Sequence, residues 1–98
     1  MQVQVSVRNT RISEETREHI HQVCSRLEHF CEHILDCEVV VDGNRDKIGF
    51  GVELVVKVPS QVLTASAIGE SVHKALGEAH DKLEEQLRRH HDRLVTHR

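Results

Sequence analysis

From Ser71 to the end of the chain one spacing keeps returning. Val72, Leu76, Ala79, Leu83, Leu87 and Leu94 follow one another at intervals of three, four and seven residues. At about 100° per residue these positions share one face, the pattern of an amphipathic helix. Ser71 is a suitable N-cap. Lys82, Arg89 and Arg93 fall together on one flank of the apolar face. Gly77, inside the periodic stretch, costs about 1 kcal/mol relative to alanine, which predicts close backbone packing there. A long helix with a single apolar stripe needs a platform to lie on. The remainder of the 98-residue chain has to supply that platform.

The upstream sequence has the right patterns. Val3, Val5 and Val7 alternate with Gln2, Gln4 and Ser6, which predicts a half-buried strand. Ser13 reads as an N-cap, with Glu14 and Glu15 in the first turn, where the helix dipole favours acids. Ile20, Val23, Cys24, Leu27, Phe30, Cys31 and Ile34 predict a helix of about five turns. Glu18, Glu28 and Glu32 lie on one side of its stripe. His19, Gln22, Arg26, His29 and His33 lie on the other. Cys37 to Val41 reads as a second strand, and Gly43-Asn44-Arg45-Asp46 as a turn. Phe50, Val52, Leu54, Val56 and Val58 alternate along a third strand, which Pro59-Ser60 ends. Val62 to Ile68 gives a fourth strand. The order β-α-β-β-β-α allows strands one and two to be parallel neighbours through a helical crossover. The short turns imply an antiparallel meander for strands two to four. The expected fold is α+β: one domain over residues 1–98, a four-stranded mixed sheet with two helices packed on one face. The other sheet face is left to solvent or a partner, with Val40 and Val55 lending it apolar character.

Composition narrows function. The net charge is −3 with histidine neutral, which argues against nucleic-acid binding by bulk charge but leaves room for a local basic stripe. Phe30 and Phe50 are the only aromatics, so a base-stacking surface is not expected. Cys24, Cys31 and Cys37 are odd in number and form no paired framework, which suits a reducing compartment. No apolar run approaches the roughly 20 residues of a membrane span. The Met-Gln-Val-Gln-Val start lacks signal-peptide regions. The expectation is a cytoplasmic protein with no membrane partner and no small-molecule substrate.

Two readings of the basic flank stand side by side. Lys82, Arg89 and Arg93, with Arg26 and His33 from the first helix, can meet phosphates, which carry affinity without reading sequence. Alternatively they form a solvated face, because Glu78 precedes Lys82 by four and Glu85 precedes Arg89 by four. Charged helix faces are more often the latter. His29 and His33 have an i, i+4 spacing that can hold zinc, but HExxH is absent and surface histidines are the better reading. There is no Gly-rich phosphate loop, no GxSxG and no cysteine with a convincing base. Cys24 and Cys31 lie on the apolar stripe as small core residues. No catalytic residue, metal site or cofactor is expected.

The order of several short pieces resembles a known family. These are Met1-Gln2-Val3, Ile12-Ser13-Glu14, Arg17-Glu18, Arg26-Leu27-Glu28 and Val39-Val40-Val41. Thr64-Ala65-Ser66-Ala67 and Asp81-Lys82-Leu83 follow, continuing to Gln86-Leu87, Arg89-His90 and Asp92-Arg93. Across nearly its whole length the chain resembles the short ribosome hibernation-promoting factors, also described as ribosome-associated inhibitor or sigma modulation proteins. The resemblance implies the same β-α-β-β-β-α fold, with a likeness to double-stranded RNA-binding domains. It implies a non-enzymatic translation silencer of stationary phase or stress. Its partner would be the small ribosomal subunit and its rRNA, bound in the decoding region across the paths of mRNA and tRNA. Carried over by position, the rRNA-contacting residues are Arg26, Lys82, Arg89 and Arg93, with Lys74 and Arg88 as weaker candidates.

The chain departs from the family pattern in places. Gln22 and Val23 stand where lysines are usual, His91 where a basic residue is common, and Glu84-Glu85 adds acid. The expected consequence is weaker or more pH-dependent ribosome binding, since histidines titrate near neutrality. The chain ends at Arg98, without room for the C-terminal dimerisation domain of the long forms, so ribosome dimerisation would need another factor. The alternative is a divergent relative acting as a protein-interaction module, a homodimer through the open sheet face.

Overall fold

The computed structural model describes residues 2–29, 33–43 and 49–96, with side chains described as far as Asp92. In order, the elements are β1 (Gln2–Arg8), α1 (Glu14–Ser25) with a 3-10 turn (Arg26–His29), β2 (Asp36–Gly43), β3 (Phe50–Val58), β4 (Gln61–Gly69) and α2 (Val72–Thr96). The sheet order is β1-β2-β3-β4. β1 and β2 are parallel, while β2, β3 and β4 form an antiparallel meander. The expected topology and mixed sheet are what the chain forms.

Register sorts the strands into two faces. Val5, Val39, Leu54 and Ala65 stand in one cross-strand row, and Val7, Val41, Val52 and Ala67 in the next. Both rows face the helices. They meet Ile20, Cys24 and Leu27 from the first helical segment, and Leu76, Ala79, Leu83 and Leu87 from α2, all fully buried. The alternate rows, such as Ser6, Val40, Glu53 and Ser66, face away from the helices. This is the period-two division that the alternating valines predict.

Two tight passages hold the strand ends. Pro59-Ser60 joins β3 to β4 through a two-residue loop, with Ser60 at φ 83°. A proline followed by a positive φ is the pattern of a type II turn. After β1, Asn9 takes φ 58° and its Nδ2 donates to Asp42 Oδ1 at 3.0 Å. That turn crosses Gly43 so closely that a Cβ there would lie 2.5 Å from Thr10 Cβ and 2.8 Å from the Asn9 carbonyl oxygen.

Two expectations change. The first helix is shorter than its apolar period suggests. α1 starts as predicted, with Thr16 N donating to Ser13 Oγ at 3.1 Å, but it ends at Ser25 and tightens into the 3-10 turn. Ser25 Oγ donates back to the His21 carbonyl at 2.8 Å, and the Arg26 N–H reaches the Val23 carbonyl. Such back-bonding competes with the regular ladder. Leu27 and Ile34 are nevertheless buried, so the apolar period reported burial beyond the helix itself. Phe30 and Cys31 lie outside the described residues, as does most of the Gly43–Asp46 turn. Gly77, in turn, does not mark close packing: a Cβ there would meet nothing within 4 Å. It leaves a gap on the helix surface.

Candidate nucleic-acid interface

α2 is the element that carries most of the candidate cations. Ser71 caps it, accepting from Lys74 N at 3.2 Å through Oγ and from Ala75 N at 3.0 Å through its carbonyl. Val72, Ala75, Leu76, Ala79, Leu83 and Leu87 bury its apolar face, and His90 continues the stripe at 7% exposure. Nothing is described of the Leu94 side chain. The helix carries five Lys or Arg and five Asp or Glu, so its polar surface is balanced before any histidine titrates.

The flank over β4 holds Lys82 and Arg89. Lys82 Nζ donates to the Ser66 carbonyl at 2.9 Å and lies 3.9 Å from Glu78 Oε1. Arg89 Nη2 donates to Glu85 Oε1 at 2.7 Å. The same i, i+4 device holds Arg88 on Glu84 at 2.9 Å and Lys74 on Glu70 at 3.3 Å. Apart from half-buried Glu84 these groups are exposed, and such surface pairs contribute about 0–1 kcal/mol each, so a phosphate can displace the carboxylate at modest cost. Arg93 is predicted to share this flank, but its side chain lies outside the described ones. Gln86 Nε2 donates to the Thr64 carbonyl at 2.7 Å, and Gln61 Nε2 donates to His90 Nδ1 at 2.6 Å. One side of α2 is thereby stitched to the edge strand.

Arg26 sits elsewhere. It opens the 3-10 turn, exposed, close enough to His19 to depress that imidazole's pKa. His19 in turn meets His73 of α2, ring centroids 4.4 Å apart at 49°. His73 and Lys82 are nine positions apart, about 180° around the helix. The structure therefore brings Lys82 and Arg89 together but places Arg26 across α2 from them, at the seam between the helices. His19 is held below the usual histidine range by burial first, then by His73 and by the Arg26 charge. The His19–His73 contact is the element of this surface that spacing along either helix did not show, because it depends on how α1 lies against α2.

Among the described residues one group has ligand atoms close enough for a metal: His80, Asp81 and Glu84, all within 4.8 Å of one another. Its geometry is loose, with His80 Nδ1 at 3.9 Å from each carboxylate and Glu84 already engaged by Arg88. His29 ends the 3-10 turn and His33 lies beyond it, so the two do not share a helix turn. The Cys24 and Cys37 thiols hydrogen-bond to one another in the core. That bond, with burial, raises the Cys24 pKa and leaves it an inert core residue. No helix of the described residues is long and apolar enough to cross a membrane.

Residues 3–95 match the family model described as sigma 54 modulation protein / S30EA ribosomal protein. The chain belongs to this family. A ribosome hibernation promoting factor of Salmonella typhimurium is 31% identical over 97 residues, which span 99% of this chain and all of that protein. The ribosome hibernation promotion factor of Deinococcus radiodurans is 30% identical over 98 residues, and there the chain spans about half (51%) of the relative. Among solved structures, a ribosomal subunit interface protein from Coxiella burnetii superposes with a TM-score of 0.85 at 23% identity, covering 94% of this chain and 99% of that one. The N-terminal domain of Thermus thermophilus Protein Y gives 0.79 at 21% identity, covering 91% and 98%. At these identities the two structures speak for the fold.

Proposed function

We propose that the chain is a ribosome-associated, non-enzymatic silencer of translation. It acts in stationary phase or stress by occupying the decoding region of the small subunit. The observation that carries this reading is the family match from residue 3 to residue 95, together with end-to-end coverage of a short relative named a ribosome hibernation promoting factor. The contacts are phosphate contacts. Lys82 and Arg89 form one group on the β4 flank of α2, which the helical spacing extends to Arg93, and Arg26 stands apart at the helix seam. Lys74 and Arg88 on the outer surface are secondary. Each described α2 cation already has a carboxylate partner, so rRNA binding is an exchange of partners. That exchange, with the balanced charge of α2, supports binding weaker than a lysine-rich helix would give.

Cosedimentation with purified small subunits tests the reading. A variant combining Lys82→Gln, Arg89→Glu and Arg93→Glu removes the cluster, and glutamine preserves a donor for the Ser66 carbonyl. The variant is expected to leave the subunit peak at salt concentrations where the wild type remains bound. Equal binding of the two would show that this flank is not the contact surface.

A further inference from the structure

The sheet face turned away from the helices has a chemistry of its own. Among the described strand residues, Asp36, Glu38, Asp42 and Glu53 stand across it, against Arg8 and Lys57. Such a face repels phosphates and does not suit rRNA. Register leaves a notch in it. Arg8, Asp42, Gly51 and Ile68 form one cross-strand row, in which Gly51 contributes no side chain. A Cβ built there would meet only the Asp42 carbonyl oxygen, at an ordinary 3.9 Å. Gly51 is the floor of a trough of about 510 Å³, walled by Asp42, Glu53, Ile68 and Val40, with Arg8 at one end and Lys82 beside Glu78 at the other. Ile68 is 65% exposed. Glu53 has no ion pair or hydrogen bond among the described residues, whereas Lys82 is committed to the Ser66 carbonyl.

We propose that this trough docks an extended protein segment bearing lysine or arginine. One such side chain lies over Gly51, its aliphatic stem against Ile68 and its charge shared by Asp42 and Glu53. Long basic side chains bury their stems on apolar surface while keeping the charge solvated or paired. Complementary charge selects the partner and orients it. The segment does not add as a fifth strand beside β4, because Lys82 and Gln86 already occupy the outward carbonyls of Ser66 and Thr64. A second copy of this chain is a poor occupant, since it presents the same four carboxylates.

The test is a chemical-shift titration of the ¹⁵N-labelled full chain with a capped peptide alternating arginine and threonine. A control peptide carries neutral citrulline in place of arginine. Saturable shifts are expected at Asp42, Gly51, Glu53 and Ile68. Affinity is expected to fall about tenfold or more in Gly51→Val, which fills the notch without altering charge, and separately in Glu53→Gln. The citrulline peptide should not bind. The proposal is overturned if shifts spread evenly over the exposed carboxylates and ignore Gly51→Val, or if no saturable shift appears. It is equally overturned if an RNA oligonucleotide moves the same amides, or if sedimentation shows this face pairing with a second copy. None of these outcomes depends on ribosome binding.

Discussion

Gly43 and Ser60 show how single residues limit this fold in opposite ways. At Gly43 the obstacle to any side chain is close approach, with Thr10 Cβ and the Asn9 carbonyl both inside 3 Å of a built Cβ. Gly43→Ala must push the β1 turn outward and strain the Asn9–Asp42 bond. The expected loss is about 1–3 kcal/mol, the usual range for overpacking, read from chemical denaturation. At Ser60 the obstacle is conformational: an L-residue held at φ 83°. Ser60→Gly relieves that cost but loosens the unfolded chain. The expected net is a gain of up to about 1 kcal/mol, or a few degrees in Tm. A drop in Tm would mean that Ser60 is not strained. The Pro-Ser turn could be read from sequence. The need for glycine at position 43 could not, because the atoms that forbid a side chain come from residues more than thirty positions earlier. The cations divide likewise. Glutamates four residues upstream predicted the partners of Lys82 and Arg89, but the Ser66 carbonyl under Lys82 depends on where β4 lies.

Between elements, the α2–β4 seam and the α1–α2 seam do different work. In an antiparallel edge strand every second residue turns its carbonyl outward, and Thr64 and Ser66 are two such residues on β4. Gln86 and Lys82 cap them, which closes an edge that would otherwise invite strand pairing. Replacing both by alanine should cost about 1–3 kcal/mol, at roughly 0.5–1.5 kcal/mol per hydrogen bond. Hydrogen exchange should rise along β4 ahead of β2, and uniform exchange would argue that the caps are incidental. At the other seam His19 has a folded pKa below its unfolded value. For a base, that sign means the neutral form favours the native state. The contribution is present above the unfolded pKa of about 6.5 and is lost as pH falls toward the folded pKa. His19→Gln should flatten the fall in Tm on acidification below about pH 6.5 while leaving the neutral-pH value nearly unchanged. An unchanged pH profile would show that His19 is not the group responsible. The histidines of the first helix were visible in sequence as an edge. Their pairing was not, since α1 stops at Ser25 and the 3-10 turn sets where Arg26 and His19 meet α2.

For the molecule as a whole, the two sides have different electrostatic signs to offer, and net charge hides this. The helix side carries paired cations that a polyanion can recruit; the open sheet face carries four carboxylates. Strand order and faces were legible because alternating valines and short turns leave few alternatives. The acids of β2 also alternate along the sequence, but the trough appears only when Asp42, Gly51 and Ile68 come into one row. The division of faces makes ribosome affinity testable by its salt dependence. If Lys82, Arg89, Arg93 and Arg26 each neutralise one phosphate, the logarithm of affinity should fall against the logarithm of salt with a slope of about −3. The triple variant leaves only Arg26 and should bring that slope to about −0.8, each lost contact removing about 0.7–0.9. Glu53→Gln should leave the slope untouched, because Lys82 is held by the Ser66 carbonyl and Glu78 rather than by Glu53. Bulk charge would behave differently. With a net −3, removing one carboxylate anywhere would raise affinity alike, and Glu53→Gln would then match an equivalent change at Glu85, which holds Arg89. The proposed interface requires the two to differ, since only Glu85→Gln releases a phosphate-contacting cation. Parallel gradients with the two single variants decide between a localised stripe and a diffuse field.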